Sequence, residues 1–547
     1  KKGRLPDDKP VQLILRPDIE DRNFHETTKA YLGPERTFPA RITQMSKGFR
    51  FQPVQNRCLL VKVNKGNFYL EPQWQYMVYR PLEAQRGLDP HSDLYSPGYF
   101  VCPLLGNQSM VLKAWAGPTK QALPKTPKVI TKQIKKTYYQ KQRFLDLETA
   151  LKLALEHYVV QRGDYSTIIA GYPWFLDWGR DTLIVLRGLI AAGRQNIARA
   201  IIHQFARLED QGTLPNMIRG NDMGNRDTSD APLWFFTAVS DLIQLEGDPS
   251  FLNSDCGGRT LRQVLIDLAQ SIMAGTPNGV KMDRETGLVY SPAHFTWMDT
   301  NFPAGTPRAG YPIEIQALWY AALSFLDRID RSPPKKSWQN LTQRVQNSIM
   351  ELFFLKQEGF LSDCLHASKD VSAKQAIADN ALRPNQLFAI TLATISDKMI
   401  CQSILAACQE LLVPGAIRTL SDRKVHPPLA IFHNAKLLND PKHPYQGRYQ
   451  GDEDTSRKPA YHNGTAWTWL FPSFCEAWIM CYGDSAVDTA KAWLTSSTNL
   501  INTGCGGQLP EIVDGDYPHK QRGCDAQAWG VSELLRVWLK LKNIASC

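Results

Sequence analysis

The feature that most constrains the fold is a helical hydrophobic period that runs through residues 144–547. Apolar side chains recur three or four positions apart in twelve segments, and no convincing strands of a parallel sheet lie between them. Twelve helices in six consecutive pairs predict an (α/α)6 barrel, in which alternate helices line the inside. The segments are residues 144–161, 180–192, 194–209, 231–246, 259–274, 313–329, 336–354, 384–394, 396–412, 464–482, 485–498 and 525–542.

Every second helix of this series opens with a polar and aromatic cluster. The N-termini of the inner helices should meet at one end of the barrel, where their N–H groups and partial positive charge face the axis. The alternation therefore predicts a functional site at this end. The clusters are WGRDT (Trp178–Thr182), SDAPLWF (Ser229–Phe235), YPIEIQALW (Tyr311–Trp319), RPNQLF (Arg383–Phe388), YHNGTAWTW (Tyr461–Trp469) and CDAQAWGVSE (Cys524–Glu533).

The densest cluster lies within Gly171–Gly188, GYPWFLDWGRDTLIVLRG, where four aromatic side chains accompany Asp177, Arg180 and Asp181. Aromatic faces stack on sugar rings and charged groups hydrogen-bond hydroxyls, so this composition favours a wall for a sugar. The same residues would also suit a core aromatic cluster with a buried ion pair. This stretch alone leaves both interpretations open.

Residues 1–117 predict a separate small domain that is β-rich and sandwich-like, because short alternating segments are separated there by Pro and Gly. Residues 118–143 follow as a basic linker with eight basic residues and no acidic ones, which account for most of the net charge of +10. Such a run is typical of a solvated linker, so we expect no nucleic-acid partner. Nucleic-acid binding by the linker is the weaker alternative.

The cysteines and the chain start bear on the compartment. Eleven cysteines without CxxC pairs or zinc-type spacing indicate buried thiols in a reducing environment. No apolar signal core follows KKGRLPDDKP, and no apolar run reaches about 18 residues. We therefore expect a cytoplasmic protein with no membrane partner. Neither a phosphate-binding GxxxxGK(S/T) motif nor a metal-binding HExxH motif occurs, and we expect no metal site and no cofactor.

Two acidic residues have the surroundings that glycosidic bond hydrolysis requires, namely a protonated carboxyl beside the leaving oxygen and a second carboxylate across the sugar. Asp299 lies in HFTWMDTN among apolar residues, with no basic neighbour before Arg308. Apolar surroundings raise a carboxyl pKa, as a general acid requires. Glu511 lies in GGQLPEIVDGD, on a kinked loop that can project into a cleft. Asp299 would equally suit a helix cap or turn, and Glu511 a surface loop.

Asp181 is the alternative acid, but the adjacent Arg180 should favour its ionised form, so we expect it to accept hydrogen bonds from hydroxyls. Other polar or planar side chains at the inner helix starts are candidates for binding sugar. Each would also suit a cap or a packed core position. These candidates are Asp230, Trp234, Trp297, Glu314, Arg383, Gln386, His462, Asn463, Trp467, Gln527 and Trp529.

Taken in order, six motifs of residues 144–547 resemble the amylo-α-1,6-glucosidase domain of glycogen debranching enzymes. They are WGRDT, DAPLWF, TWMD with RAGYPIEIQALWY, RPNQLFA, YHNGTAW, and LPEIVDGDYPH with RGCDAQAWGVSE. The resemblance implies an (α/α)6 barrel that releases glucose from the α-1,6-linked stubs of a branched α-glucan, with inversion. It implies that Asp299 is the general acid and Glu511 the general base. The WGRD stretch also resembles a glucoamylase motif, which implies that Trp178, Arg180 and Asp181 bind the terminal glucose.

Three further expectations concern the kind of enzyme. No glucanotransferase domain is expected, as in the shorter prokaryotic forms of this family. A glucoamylase- or trehalase-like exo-glucosidase would use the same barrel and acids with different subsites. A non-catalytic glucan-binding protein would retain the aromatic residues but lose the acid–base pair. Since both carboxyls are present in their motifs, the sequence favours an enzyme.

Overall fold

The computed structural model describes residues 7–22, 26–85, 88–106, 108–118, 146–162, 165–219, 222–330 and 337–544. The chain forms two compact units, Lys1–Phe144 and Leu145–Cys547. The predicted basic linker lies outside the described residues, except that Pro118 ends a strand.

The first unit contains two antiparallel sheets, which agrees with the predicted β-rich region. A cluster of buried side chains, including Phe49, Phe68, Tyr95 and Phe100, joins strands of both sheets. One sheet orders its strands as Val11–Leu15, His91–Leu104 and Asn67–Tyr79; the other as Ile42–Met45, Gly48–Val54, Arg57–Val63 and Leu112–Pro118. The short helices of this unit are Ala30–Leu32, Pro34–Ala40 and Pro81–Gln85.

Six helices of the second unit form a closed ring, because each contacts the next and the last contacts the first. The second, outer set packs around them, which confirms the predicted (α/α)6 barrel. The inner helices are Gly179–Ala191, Ala231–Glu246, Ile313–Ile329, Leu387–Thr391, Phe471–Tyr482 and Ala528–Ile544. The outer helices are Leu147–Glu156, Gln195–Leu208, Leu261–Ala274, Ser337–Leu352, Lys398–Cys408 and Val487–Thr495.

The inner helices are buried on every side in their first turns, because protein surrounds them there. In Gly179–Ala191 every residue before the last is buried, including the charged residues of the first turn. Gly188 allows close contact with the last inner helix, since a Cβ at this position would overlap Ser532. The Ser532 hydroxyl donates to the carbonyl of Val185 at 3.0 Å. An inner helix of this kind is buried all round, whereas an outer helix buries one apolar stripe.

Two inner helices, Phe471–Tyr482 and Ala528–Ile544, begin later than predicted, because short antiparallel ladders occupy the residues before them. The segment predicted as 464–482 is helical only from Phe471, and Ala466–Trp467 pairs with Ile512–Val513 instead. Proline at position 472 suits the first turn of a helix, where no N–H donor is needed. The ladders tie together the loops at the end of the barrel where the inner helices start.

Candidate active site

A pocket of about 140 Å³ lies where the inner helices begin. This volume is below the roughly 300–1,000 Å³ of pockets for drug-sized ligands, so it suits one sugar ring rather than an oligosaccharide. Nine of the eleven lining residues are ones that the sequence predicts. The lining consists of Phe175, Trp178, Arg180, Asp181, Trp297, Asp299, Tyr461, Trp467, Glu511, Gln527 and Trp529.

Two ladders position the lining residues at the first and last inner helices. Asp177–Trp178 pairs with Met217–Ile218 immediately before the helix whose first turn contains Arg180. Ala526–Gln527 pairs with Gly171–Tyr172 and determines where the last inner helix begins. Side chains on these helix starts are therefore held by backbone hydrogen bonds rather than by mobile loops.

Tryptophan rings form the wall of the pocket and orient one another. The rings of Trp297 and Trp467 meet edge to face at 5.1 Å, and Trp469 stacks on Trp529 at 4.6 Å. The Trp297 indole N–H donates to Asn385 Oδ1 at 2.8 Å. Aromatic pairs at such separations attract one another beyond their area burial. The wall is therefore ordered before any ligand arrives.

Three buried polar atoms on lining residues have no hydrogen-bond partner within the described part of the chain. They are Nη2 of Arg180, Oε1 of Gln527 and Nε1 of Trp529. A buried polar group without a partner is costly, so native proteins rarely leave one unpaired. Sugar hydroxyls both donate and accept, and a bound sugar would satisfy two donors and one acceptor here.

Arg180 joins two carboxylates at the pocket. Its Nε donates to Asp230 Oδ2 at 2.7 Å, and its Nη1 donates to Asp299 Oδ2 at 3.1 Å. The guanidinium and Asp230 are both buried. A buried arginine with two carboxylate partners is fixed in position, so it orients the Asp299 carboxyl toward the pocket.

Asp299 has two opposing influences on its pKa. Its side chain is 36% exposed and otherwise enclosed by protein. Burial raises the pKa of Asp299 and outweighs the lowering by Arg180, while Asp230 raises it further. The raised pKa agrees in direction with the sequence expectation. No basic residue lies beside Asp299 in the sequence before Arg308, and the fold supplies one, Arg180, from a distant helix.

The prediction that Arg180 keeps Asp181 ionised is also wrong. Asp181 is buried, and this burial raises its pKa to about 8; the charges of Asp299 and Glu511 add to the effect and outweigh the attraction to Arg180. Successive residues of a helix point in different directions, so adjacency in sequence does not pair their side chains. At neutral pH Asp181 is mainly a neutral acid that can donate a hydrogen bond.

Glu511 receives a hydrogen bond on each carboxylate oxygen. The Tyr461 hydroxyl donates to Oε1, and the Cys524 N–H donates to Oε2 at 2.8 Å. Burial and the nearby Glu511 charge raise the pKa of Tyr461 well above its usual value, so the phenol stays protonated. Gly523 has φ of +68°, and a Cβ there would overlap Oε2 of Glu511. The carboxylate thus lies against a turn whose backbone conformation and close contact require glycine.

Two lining residues, Phe175 and Tyr461, are not among the predicted site residues. Tyr461 opens the YHNGTAW motif, but the polar residues that follow it drew the prediction to His462 and Asn463. Phe175 lies in the dense aromatic stretch before Trp178. Tyr461 falls within a predicted motif, whereas Phe175 lies three residues before WGRDT.

Seven predicted binding residues do not line this pocket, and four of them support it from behind. Asp230 holds Arg180. Trp234 packs edge to face against Trp469. The His462 ring stacks on Trp467 at 5.2 Å. Asn463 Oδ1 accepts a hydrogen bond from Arg383 at 2.7 Å. These residues position the lining side chains or the loops that bear them.

The other three lie in buried polar networks of the barrel. Glu314 receives two hydrogen bonds from Arg308, at 2.6 and 2.7 Å. Arg383 donates to the carbonyls of Thr419 and His462 as well as to Asn463. Gln386 Oε1 accepts from the N–H of Leu361 at 2.9 Å. The structure therefore does not bring these side chains to the pocket, because their polar groups are used within the protein.

No group of three or more His, Cys, Asp or Glu side chains in the described part of the chain is arranged to hold a metal ion. Across the same residues, no helix combines the length and apolar character that a membrane span requires.

Comparison with family models gives two matches. Residues 153–536 match the model described as amylo-alpha-1,6-glucosidase. Residues 3–111 match the model described as glycogen debranching enzyme N terminal. The first match covers the inner ring up to the middle of its last helix and includes all the lining residues of the pocket.

Two individual proteins are also similar. A glycogen debranching enzyme of Saccharomyces cerevisiae is 26% identical over 403 aligned residues, which cover 57% of this chain and 25% of that protein. The chain thus matches about a quarter of the length of this relative. A crystal structure of a bacterial glucoamylase complexed with acarbose has a TM-score of 0.51 and 12% identity, and the match covers 91% of this chain and 73% of that one. At this identity the likeness supports the fold alone.

Proposed function

The chain belongs to the amylo-alpha-1,6-glucosidase family, whose model matches residues 153–536, and from this premise we propose that it hydrolyses α-1,6-linked glucosyl stubs of branched α-glucans and releases glucose. The observation that carries the proposal is the pairing of Asp299 and Glu511 in one pocket of single-sugar size. Their surroundings differ as an acid and a base require. Burial favours the protonated form of Asp299, whereas Glu511 accepts two hydrogen bonds.

In the proposed reaction, Asp299 donates its proton to the glycosidic oxygen as the bond from that oxygen to the anomeric carbon breaks. Glu511 takes a proton from a water molecule, whose oxygen attacks the anomeric carbon from the opposite face. The products are β-glucose and a glucan with a free 6-hydroxyl. Inversion needs room for the water, so the two carboxyl groups should lie roughly 6.5–9.5 Å apart.

The other lining residues bind and orient the sugar in this proposal. Arg180 holds Asp299 through the hydrogen bond at 3.1 Å and offers its unpaired Nη2 to a hydroxyl. Asp181 donates to a hydroxyl as a neutral acid, in keeping with its raised pKa. The aromatic lining residues and Gln527 contact the sugar ring and its remaining hydroxyls: Phe175, Trp178, Trp297, Trp467 and Trp529.

The experiment that tests this function is incubation with a phosphorylase limit dextrin, with the released sugar and its anomer followed by NMR. We expect glucose that appears first as the β-anomer. Maltotriose and trehalose serve as comparison substrates, and the Asp299→Asn variant serves as the blank. Release of α-glucose would exclude inversion. Faster turnover of either comparison substrate would assign the chain to a glucoamylase- or trehalase-like activity, and absence of glucose from all three would leave only glucan binding.

The cytoplasmic location stays a prediction, as does the expectation that the protein needs no metal and no cofactor. The proposed steps use only protein side chains and water, so activity should survive dialysis against a chelator. A branched α-glucan is the proposed partner. Any preference for its branch length must come from residues outside the pocket, because the pocket has room for one sugar.

A further inference from the structure

An exposed aromatic residue, Phe302, lies three positions after the proposed acid Asp299 in the sequence. Phe302 is 61% exposed, although phenylalanine is usually buried. It lies in a tight turn in which Asn301 and Ala304 form an isolated bridge. The turn continues directly from Asp299, which lines the pocket. Packing within the described residues does not explain why this ring is exposed. Its aromatic contact there is edge to face, with the ring of His433.

The turn that presents Phe302 is held at both ends. The hydroxyl of Thr300 is 2.9 Å from Nδ1 of His462, whose ring stacks on the pocket residue Trp467. The carbonyl of Gly305 accepts from Asn463 Nδ2 at 2.9 Å. A loop fixed in this way presents its ring with little entropy left to lose on binding.

A hairpin from another part of the barrel unit meets the same ring. Phe432–His433 pairs with Lys436–Leu437 across a two-residue turn. The His433 ring meets Phe302 edge to face at 5.3 Å, and Phe432 is itself 56% exposed. Two loops that are far apart in sequence thus form one exposed aromatic surface, which we call the Phe302–His433 surface.

The position of this surface follows from the chemistry of the acid. A general acid contacts the glycosidic oxygen, and that oxygen leaves with the aglycone. The pocket has room for a single ring, so the remaining glucan must extend past Asp299 toward the solvent. The chain becomes exposed within three residues of Asp299, at Phe302, so the residues that follow Asp299 are suited to meet this leaving chain.

We propose that the Phe302–His433 surface is the subsite for the leaving α-glucan chain, with the Phe302 ring stacking on a glucosyl unit of that chain. This inference rests on the proposed function, because it uses Asp299 as the acid. The apolar C–H face of a pyranose ring fits an aromatic face, and a rigid ring makes such stacking favourable. The ligand class is an α-linked glucan of two or more units beyond the scissile bond.

The test compares Phe302→Ala with wild type on two substrates that share the glucosyl group. One is a maltooligosaccharide with a single α-1,6-linked glucosyl stub; the other is α-glucosyl fluoride, which has no leaving sugar. We expect the ratio of kcat/KM values, oligosaccharide over fluoride, to fall about tenfold, mainly through KM, as for an aromatic contact near the upper end of its usual range. Phe302→Trp should restore the ratio.

A binding measurement separates this inference from the proposed function. Maltohexaose affinity, measured by calorimetry on wild type and Phe302→Ala, should fall by a similar factor. Tyr482→Ala is the matched control, since Tyr482 is 36% exposed at the last residue of an inner helix, the end opposite the pocket. If Phe302→Ala lost kcat/KM equally on both substrates, or lost no affinity for maltohexaose, the proposed subsite would be wrong. Loss of maltohexaose affinity in a protein whose wild type hydrolyses neither substrate would overturn the proposed function alone.

Discussion

Arg180 and Asp299 are 119 positions apart in the sequence, and their side chains meet at the pocket, where Nη1 donates to Oδ2 at 3.1 Å. The same guanidinium donates to Asp230 at 2.7 Å. The acid therefore belongs to a three-membered network of two carboxyl groups and one guanidinium. The charge state of Asp299 depends on both partners, which makes the network testable through the pH dependence of the rate.

Asp230→Asn should move the alkaline limb of the pH profile to lower pH. The charge of Asp230 raises the pKa of Asp299, so its removal should lower that pKa. The proposed acid works only when protonated, and it would then lose its proton at a lower pH. The measurement is kcat/KM on a branched oligosaccharide against pH. Asp241→Asn is the control, because Asp241 pairs with Arg187 at 2.8 Å in the same barrel; an upward shift in Asp230→Asn would contradict the network.

Asp299→Asn and Glu511→Gln should differ on a substrate that needs no acid. Both variants should lose a factor of about 10²–10⁴ in kcat on the branched oligosaccharide, the usual contribution of general acid or base catalysis. Fluoride departs without protonation, so Asp299→Asn should retain most of its turnover of α-glucosyl fluoride. Glu511→Gln should lose activity on both, since the attacking water still needs a base. The reverse pattern would exchange the two roles.

The inner ring could be predicted because its signal repeats. Each inner helix begins at the site with polar and aromatic residues and is buried on every side through its first turns. In Gly179–Ala191 the burial continues to Ile190. The outer helices show one apolar stripe instead. This contrast recurs six times, so an error at one helix does not change the architecture. In the first unit no such repetition exists, so the sequence predicts a β-rich region but not the pairing of strands such as Ile42–Met45 and Gly48–Val54.

The individual roles within the site could be predicted only in part, because they depend on contacts between helices. The apolar context of Asp299 correctly indicated a raised pKa. The predicted charge state of Asp181 was wrong, because burial outweighs the attraction to Arg180, whose guanidinium donates to Asp230 and Asp299. Tyr461 was missed because its hydroxyl matters only through Glu511, fifty positions away. Such pairings are determined by tertiary packing, and no local pattern in the sequence contains them.

Asp181→Asn should make the protein relatively more stable as the pH rises. The pKa of Asp181 is about 8 in the folded protein and 3.8 in its usual state. The folded state therefore binds more protons between these values, and the wild type loses stability as the pH rises through this window. The amide cannot ionise and avoids the loss, which approaches about 1.4 kcal/mol per pH unit at most.

The measurement for Asp181→Asn is the free energy of unfolding by denaturant at pH 5 and at pH 8. The difference between variant and wild type should grow in favour of the variant from pH 5 to pH 8. Because only the change of this difference with pH is read, any constant cost of the amide cancels. A difference that stays flat would show that Asp181 is ionised in the folded protein throughout this range.

Gly523→Ala should displace the proposed base Glu511, although Gly523 itself does not line the pocket. Gly523 has φ of +68°, and an added Cβ would overlap Oε2 of Glu511, the oxygen that accepts from the Cys524 N–H. A non-glycine residue at such φ costs about 1–2 kcal/mol, and the carboxylate must also move. We expect kcat to fall by at least tenfold, since a small misplacement of a catalytic group is costly. Gly506→Ala is the matched control in the same segment, because a Cβ there meets no heavy atom within 4 Å. If both alanine variants keep wild-type turnover, the position of Glu511 does not govern the rate, and the base must be another group.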